Sequence, residues 1–285
     1  MRYSVHYLAR NHYEHPVQEA VLDFLVTPTE TPGQRLLGRQ SDPRFPGKAY
    51  SYTNIFGFEV IRFRAEQPFA DCEFSFSFQV ESDVQTEALP LAFFPLEEEL
   101  AIMDSPEFSI DHILFLRPTP SSRLDESQNF FPYQRNISVF DYLLSLRDHI
   151  YEAIRFEPGI THVHTTAEEV LAIRRGVCQD FVHLFLAIAR QSGIPCRYVS
   201  GYLDQGMQFQ GAAQMHAWAE AMIPGRGWVG FDPTNKLLAD HHFIKVSHGC
   251  DYQDCAPLRG IIYMGGGQRT EYEVVVKPEN SLVNV

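Results

Sequence analysis

Two hydrophobic rhythms divide this chain, and a rhythm decides what a segment can pack against. In "FEVIRFRAEQPF" (58–69) and "CEFSFSFQVES" (72–82) every second side chain is apolar, the pattern of a strand with one buried face. Proline, glycine and aspartate gather between such runs, as in "TPTETPGQ" and "QSDPRFPGK", and predict turns. The first hundred residues therefore read as antiparallel strands packed as a β-sandwich, with helix signals nearly absent, and residues 1–120 as the domain they build.

After "LRPTPSSRLDES" (116–127), whose prolines and serines predict a linker, the spacing turns helical. Val139, Tyr142, Leu143, Leu146, Ile150 and Ile154 recur at steps of three and four behind Ser138, a capping residue. A shorter helix is announced by "TTAEEVLAIRRG" (165–176), where Thr165 and Thr166 each have a glutamate three positions on and Gly176 offers an end. A third begins at Cys178, with Phe181, Val182, Phe185, Ile188 and Ala189 on one face, and stops at Ser192-Gly193. "CRYVSGYL", "MHAWAEAMI", "GWVGFDPT" and "TEYEVVVKP" then return to alternation. The expectation is an α+β chain, with residues 121–285 forming the second domain.

At 285 residues such a chain buries a core without disulfides or metals. Its 36 acidic against 23 basic side chains, a formal charge of −13, disfavour a nucleic-acid backbone or an anionic membrane as partner. "MRYSVHYLARNHYEHP" lacks the apolar run of a secretion signal, and no stretch of about 18 apolar residues offers a membrane span, so a cytoplasmic location is expected. Cys72, Cys178, Cys196, Cys250 and Cys255 are an odd, scattered set, unlike a disulfide framework.

In "RRGVCQDFVHLF" (174–185) a cysteine follows a glycine and a valine at the mouth of a helix. There the unpaired N–H groups and the positive end of the helix dipole stabilise a thiolate, the nucleophilic form of the side chain, and Gly176 leaves room for a substrate. A nucleophile also needs a base and a group to orient that base. His216 and Asp232 stand on two consecutive predicted strands, which as antiparallel neighbours bring imidazole and carboxylate together. Each residue alone has a plainer reading: a small buried thiol, a core histidine, a cap for the Asp-Pro-Thr-Asn turn.

The three segments "GVCQDFVHLFLAIARQSGIPCRYVSGYL", "MHAWAEAMIPGRGWVGFDPTN" and "HFIKVSHGCDYQDCAPLRGIIYMGGG", in this order, resemble the bacterial transglutaminase-like superfamily, a group described as candidate cysteine proteases. The resemblance covers about residues 136–276 and extends to the strand-rich region before it. It implies a papain-like α+β core with a nucleophile helix on an antiparallel sheet, and a catalytic triad at Cys178, His216 and Asp232. It also implies acyl transfer on a peptide or amide through a thioester, with hydrolysis expected and transamidation the alternative. Gln179 and Trp218 are candidate oxyanion donors beside the Cys178 N–H, and Asp180 and Phe181 read as structural.

No cofactor or metal is called for: "HVH" (162–164) and "DHH" (240–242) lack the supporting ligand spacing of a zinc site. The expected partner is a peptide or protein substrate. Where the resemblance implies an arginine before Asp251-Tyr252, Cys250 stands, and Cys250 and Cys255 are expected as free thiols. A peptide-binding module without catalysis and a metal-dependent hydrolase are the rival classes.

Overall fold

The computed structural model describes residues 1–84, 94–125, 130–207 and 209–279. Six strands open the chain: β1 (Arg2–Val17), β2 (Glu19–Phe24), β3 (Gln34–Arg44), β4 (Gly47–Thr53), β5 (Glu59–Ala65) and β6 (Phe69–Ser82). β6 lies antiparallel between β1 and β3, and β5 between β2 and β4. The alternation in β6 buries Phe74, Phe76, Phe78 and Val80 on one face, each at most 2% exposed. Phe24 of the second sheet meets Phe74 of the first, their ring centres 4.6 Å apart, so the two sheets share one apolar interior.

Residues 94–116, read from sequence within the strand-rich part, fold instead as three short helices: α1 (Leu96–Met103), α2 (Pro106–Asp111) and α3 (Ile113–Leu116). Ser105 caps α2 through the Phe108 N–H, and Pro106 occupies its first position. These helices dock on the following domain. Glu99 accepts the Val139 N–H at 2.9 Å, and the Phe115 ring sits edge-on to Trp228. Two of the residues in the expected linker, 126 and 127, lie outside the described residues.

The core begins with α4 (Val139–Ala153), capped by Ser138 as expected and burying the whole predicted stripe. A two-residue parallel pair, β7 (Arg155–Phe156) and β8 (Arg175–Gly176), brackets α5 (Ala167–Ile173). Thr166 and Glu169 form the capping box of α5. Its end is set by Arg174, left-handed at φ 53°, rather than by Gly176. Helix α6 (Cys178–Gln191) then packs on a sheet built from β9 (Cys196–Leu203), β10 (His216–Ile223), β11 (Gly227–Asp232), β12 (Leu237–Leu238) and β13 (Phe243–Gly249). Its strand order is β12-β11-β10-β9-β13, antiparallel throughout. Ala217, Ala219 and Ala221 present a flat surface on which the Phe181, Leu184 and Phe185 face of α6 lies in one cluster.

The chain then returns to its beginning. After α7 (Tyr252–Cys255), strand β14 (Leu258–Tyr263) pairs with β2, and β15 (Gln268–Pro278) pairs with β1 over eleven residues, Tyr3 with Pro278 through Tyr13 with Gln268. Two residue stretches placed by sequence in the second domain thus complete the two sandwich sheets, β15-β1-β6-β3 and β14-β2-β5-β4. Tyr202, Ile244 and Val246 of the core sheet belong to the same buried cluster as the sandwich interior. No helix among the described residues is long and apolar enough to cross a membrane.

Candidate active site

Cys178 is the first residue of α6, so its N–H has no acceptor within the helix. What fixes this turn is Asp180, whose Oδ2 accepts the Val177 N–H at 2.7 Å and the Thr161 hydroxyl at 2.6 Å. Asp180 is thus structural, as a cap that reaches back to the residue before the helix. Gly176 serves that cap: a Cβ there would stand 2.5 Å from Asp180 Oδ2. The space that the missing side chain leaves is filled by the carboxylate, not held open for substrate.

His216 opens β10, and its Nε2 lies 2.8 Å from Asp232 Oδ2 with both side chains closed to solvent. Asp232 ends β11, diagonally across from His216, since the ladder pairs Ala219 with Phe231. Its other oxygen accepts the Thr234 N–H at 2.8 Å and the Asn235 N–H at 3.3 Å. The turn-capping and imidazole-orienting readings of Asp232 thus coexist, one on each oxygen. Asn235 Nδ2 adds a further bond to Oδ2 at 2.8 Å, while Asn235 also accepts from Gln210 N and donates to Gln210 O.

The second ring nitrogen of His216, Nδ1, has no protein partner. It faces Gly211 and the Cys178 sulfur: a Cβ on Gly211 would come within 2.8 Å of Nδ1 and 3.9 Å of Sγ. Gly211 lies at φ +83°, a conformation that a side chain would also strain. Burial of His216 opposes its positive charge, but Asp232 and then Cys178 outweigh that effect and push the imidazole pKa up to about 10. With Nε2 directed at the carboxylate, Nδ1 is the nitrogen turned toward the sulfur.

The two oxyanion candidates fare differently. Gln179 lines the cleft beside Cys178, its Nε2 3.3 Å from Val163 O. Trp218 does not: it is 2% exposed, stacks behind His216, and its indole N–H lies against Gly230 without a partner. Trp218 shares a strand face with His216, and the sheet keeps it from the nucleophile, so its part is to wall the imidazole. Of "HVH", His162 lines the cleft, and its Nδ1 accepts the His164 N–H. The ligand atoms of Asp240, His241 and His242 fall within 4.8 Å of one another, with Asp240 hydrogen-bonded to His242 N and its ring. Cys250 Sγ faces Leu114 O and Cys255 Sγ faces Tyr198 O, and burial pushes both thiols up in pKa.

Asn235, Gly211 and the tyrosines of the cleft were not singled out from sequence. Asn235 ends the quoted "FDPTN" and was legible only as a turn residue.

Residues 134–233 match the family model of the transglutaminase-like superfamily. Over 280 residues the chain is 30% identical to the uncharacterized protein ML0607 of Mycobacterium leprae, an alignment spanning 93% of this chain and 94% of that one. The chain belongs to the transglutaminase-like superfamily. A second relative, Mb2599c of Mycobacterium bovis, is 39% identical over 169 residues, 55% of this chain and 52% of its own. The same fold occurs in the solved structure described as "Putative Cysteine Protease from Cytophaga hutchinsonii", with TM-score 0.76, 22% identity, 97% of this chain covered and 90% of that chain.

Proposed function

We propose that this chain is a cysteine-dependent acyl-transfer enzyme that hydrolyses peptide or amide bonds through a thioester. The observation that carries the reading is the buried His216–Asp232 pair, whose free imidazole nitrogen faces a sulfur at the first turn of α6.

Cys178 Sγ attacks the carbonyl carbon as a thiolate beside the His216 imidazolium. Asp232 holds the ring so that Nδ1 meets the sulfur, and it balances the imidazolium charge. Negative charge on the carbonyl oxygen is met by the Cys178 N–H, with the Gln179 amide as the nearby side-chain donor. The C–N bond breaks as His216 gives its proton to the leaving amine. Water then adds to the thioester, His216 takes a proton from it, and the acid leaves as sulfur is freed.

Cys178→Ala is expected to abolish turnover of a peptide library while leaving the melting temperature within a few degrees. Iodoacetamide is expected to modify Cys178 faster than the other four thiols near neutral pH. Retained turnover in Cys178→Ala defeats the reading. Adding a primary amine during turnover separates its two forms: an amide product in place of the acid makes the enzyme a transamidase.

A further inference from the structure

The cleft at Cys178 encloses about 350 Å³, and the sandwich supplies much of its wall. Tyr7, Leu258, Tyr272 and Val274 enter from β1, β14 and β15, facing Tyr198 and Tyr252 of the core. None of the described residues lining it is an arginine, lysine, aspartate or glutamate. At its floor the Tyr7 side chain, 1% exposed, carries a hydroxyl with no partner.

An ionised side chain entering this space would lose its hydration and meet no arginine, lysine, aspartate or glutamate among the described lining residues, whereas a ring or a large aliphatic group gains apolar contact with the tyrosine faces. Among the described lining residues the buried polar atom without a partner is the Tyr7 hydroxyl, a neutral phenol, which can hydrogen-bond but not balance a charge. The volume suits one large side chain with its adjoining backbone.

We propose that the sandwich is the specificity half of the site: Tyr272 and Leu258, opposite Tyr252, select peptides with a neutral aromatic or large aliphatic side chain next to the scissile carbonyl. This rests on the acyl-transfer reading above and names its substrate class. It also gives the return of β14 and β15 a functional consequence, because the chain's last strands place Leu258, Tyr272 and Val274 beside the nucleophile.

Chloromethyl ketones of N-blocked phenylalanine, alanine and glutamate test it, since sulfur displaces chloride to form a stable S–C bond and no turnover is required. The phenylalanine reagent is expected to label Cys178 of the wild type about tenfold faster than either of the others, the ratio that burying one ring supports. Tyr272→Ala should bring that advantage to within about threefold, and Tyr272→Arg should raise the glutamate rate above its wild-type value. Tyr272 is 48% exposed on an edge strand, so both variants should fold, and the wild-type reagent series stands without them. Equal wild-type rates for the phenylalanine and glutamate reagents, or an undiminished phenylalanine advantage in Tyr272→Ala, overturn the proposal. Selective labelling without peptide cleavage upholds the pocket assignment while removing hydrolysis; cleavage without selection does the reverse.

Discussion

Asp232 is held by four donors: the His216 ring, the Thr234 and Asn235 N–H groups, and the Asn235 amide. A carboxylate closed to solvent keeps its charge only with such company. Asn235 carries the most consequence, because it also fixes Gln210, the neighbour of the glycine that covers His216 and Cys178. Asn235→Ala removes one bond to a buried charge and both ties to that loop. A lost hydrogen bond to a charged group is worth about 1.5–3 kcal/mol, so kcat/KM should fall roughly 10- to 100-fold. Steady-state kinetics on a peptide substrate reads this directly, and an unchanged kcat/KM would make Asn235 a turn residue only. Gly176 illustrates how a residue can be right and its reason wrong: the sequence marks a needed gap before Cys178, and the Asp180 carboxylate is what occupies it.

Single elements were legible where their own pattern decides them, and obscure where a distant partner does. The stripe of α4 and the first turn of α6 follow from spacing and capping within a dozen residues, and both stand as read. The proposed triad positions depend on β10 and β11 being neighbours, which a short connection makes the simplest topology. By contrast, α1 to α3 are too short for periodicity to speak, and α3 has no fully buried residue. β15 was recognisable as a strand, yet alternation says nothing about a partner at the opposite end of the chain. That pairing predicts a dependence. A chain stopped at Pro257 loses β14, β15 and the buried Val274 and Val276, and bares β1 and β2 as edges. Such a chain should be insoluble or lack a cooperative melt; circular dichroism showing a cooperative transition at the full-length temperature would refute this.

Across the whole molecule, histidines shifted in opposite senses contribute to the response to pH. His183, wholly buried on α6, accepts the Tyr252 N–H, and burial lowers its pKa to about 4. His248 on β13 is lowered to about 3, first by burial and then by Lys245 and Arg197, whose charges Glu220 partly offsets. Both are neutral when folded but free to protonate near 6.5 when unfolded, so the unfolded chain binds more protons as pH falls below that value. Stability is therefore lost on the acid side, by an amount on the order of a few kcal/mol. His216 works the other way. Its pKa of about 10 exceeds the ordinary 6.5, so its contribution is complete below 6.5 and is lost as pH rises toward 10. Lys245, lowered by burial, has the opposite alkaline slope, so the informative quantity is a difference between variants. The melting temperature of the wild type minus that of His216→Gln should decline steadily from pH 6.5 to 9, before the buried thiols begin to contribute. Scanning calorimetry at half-unit steps measures it. A difference that stays flat would mean that His216 does not carry its proton in the folded chain, and the thiolate–imidazolium pair would lose its cation.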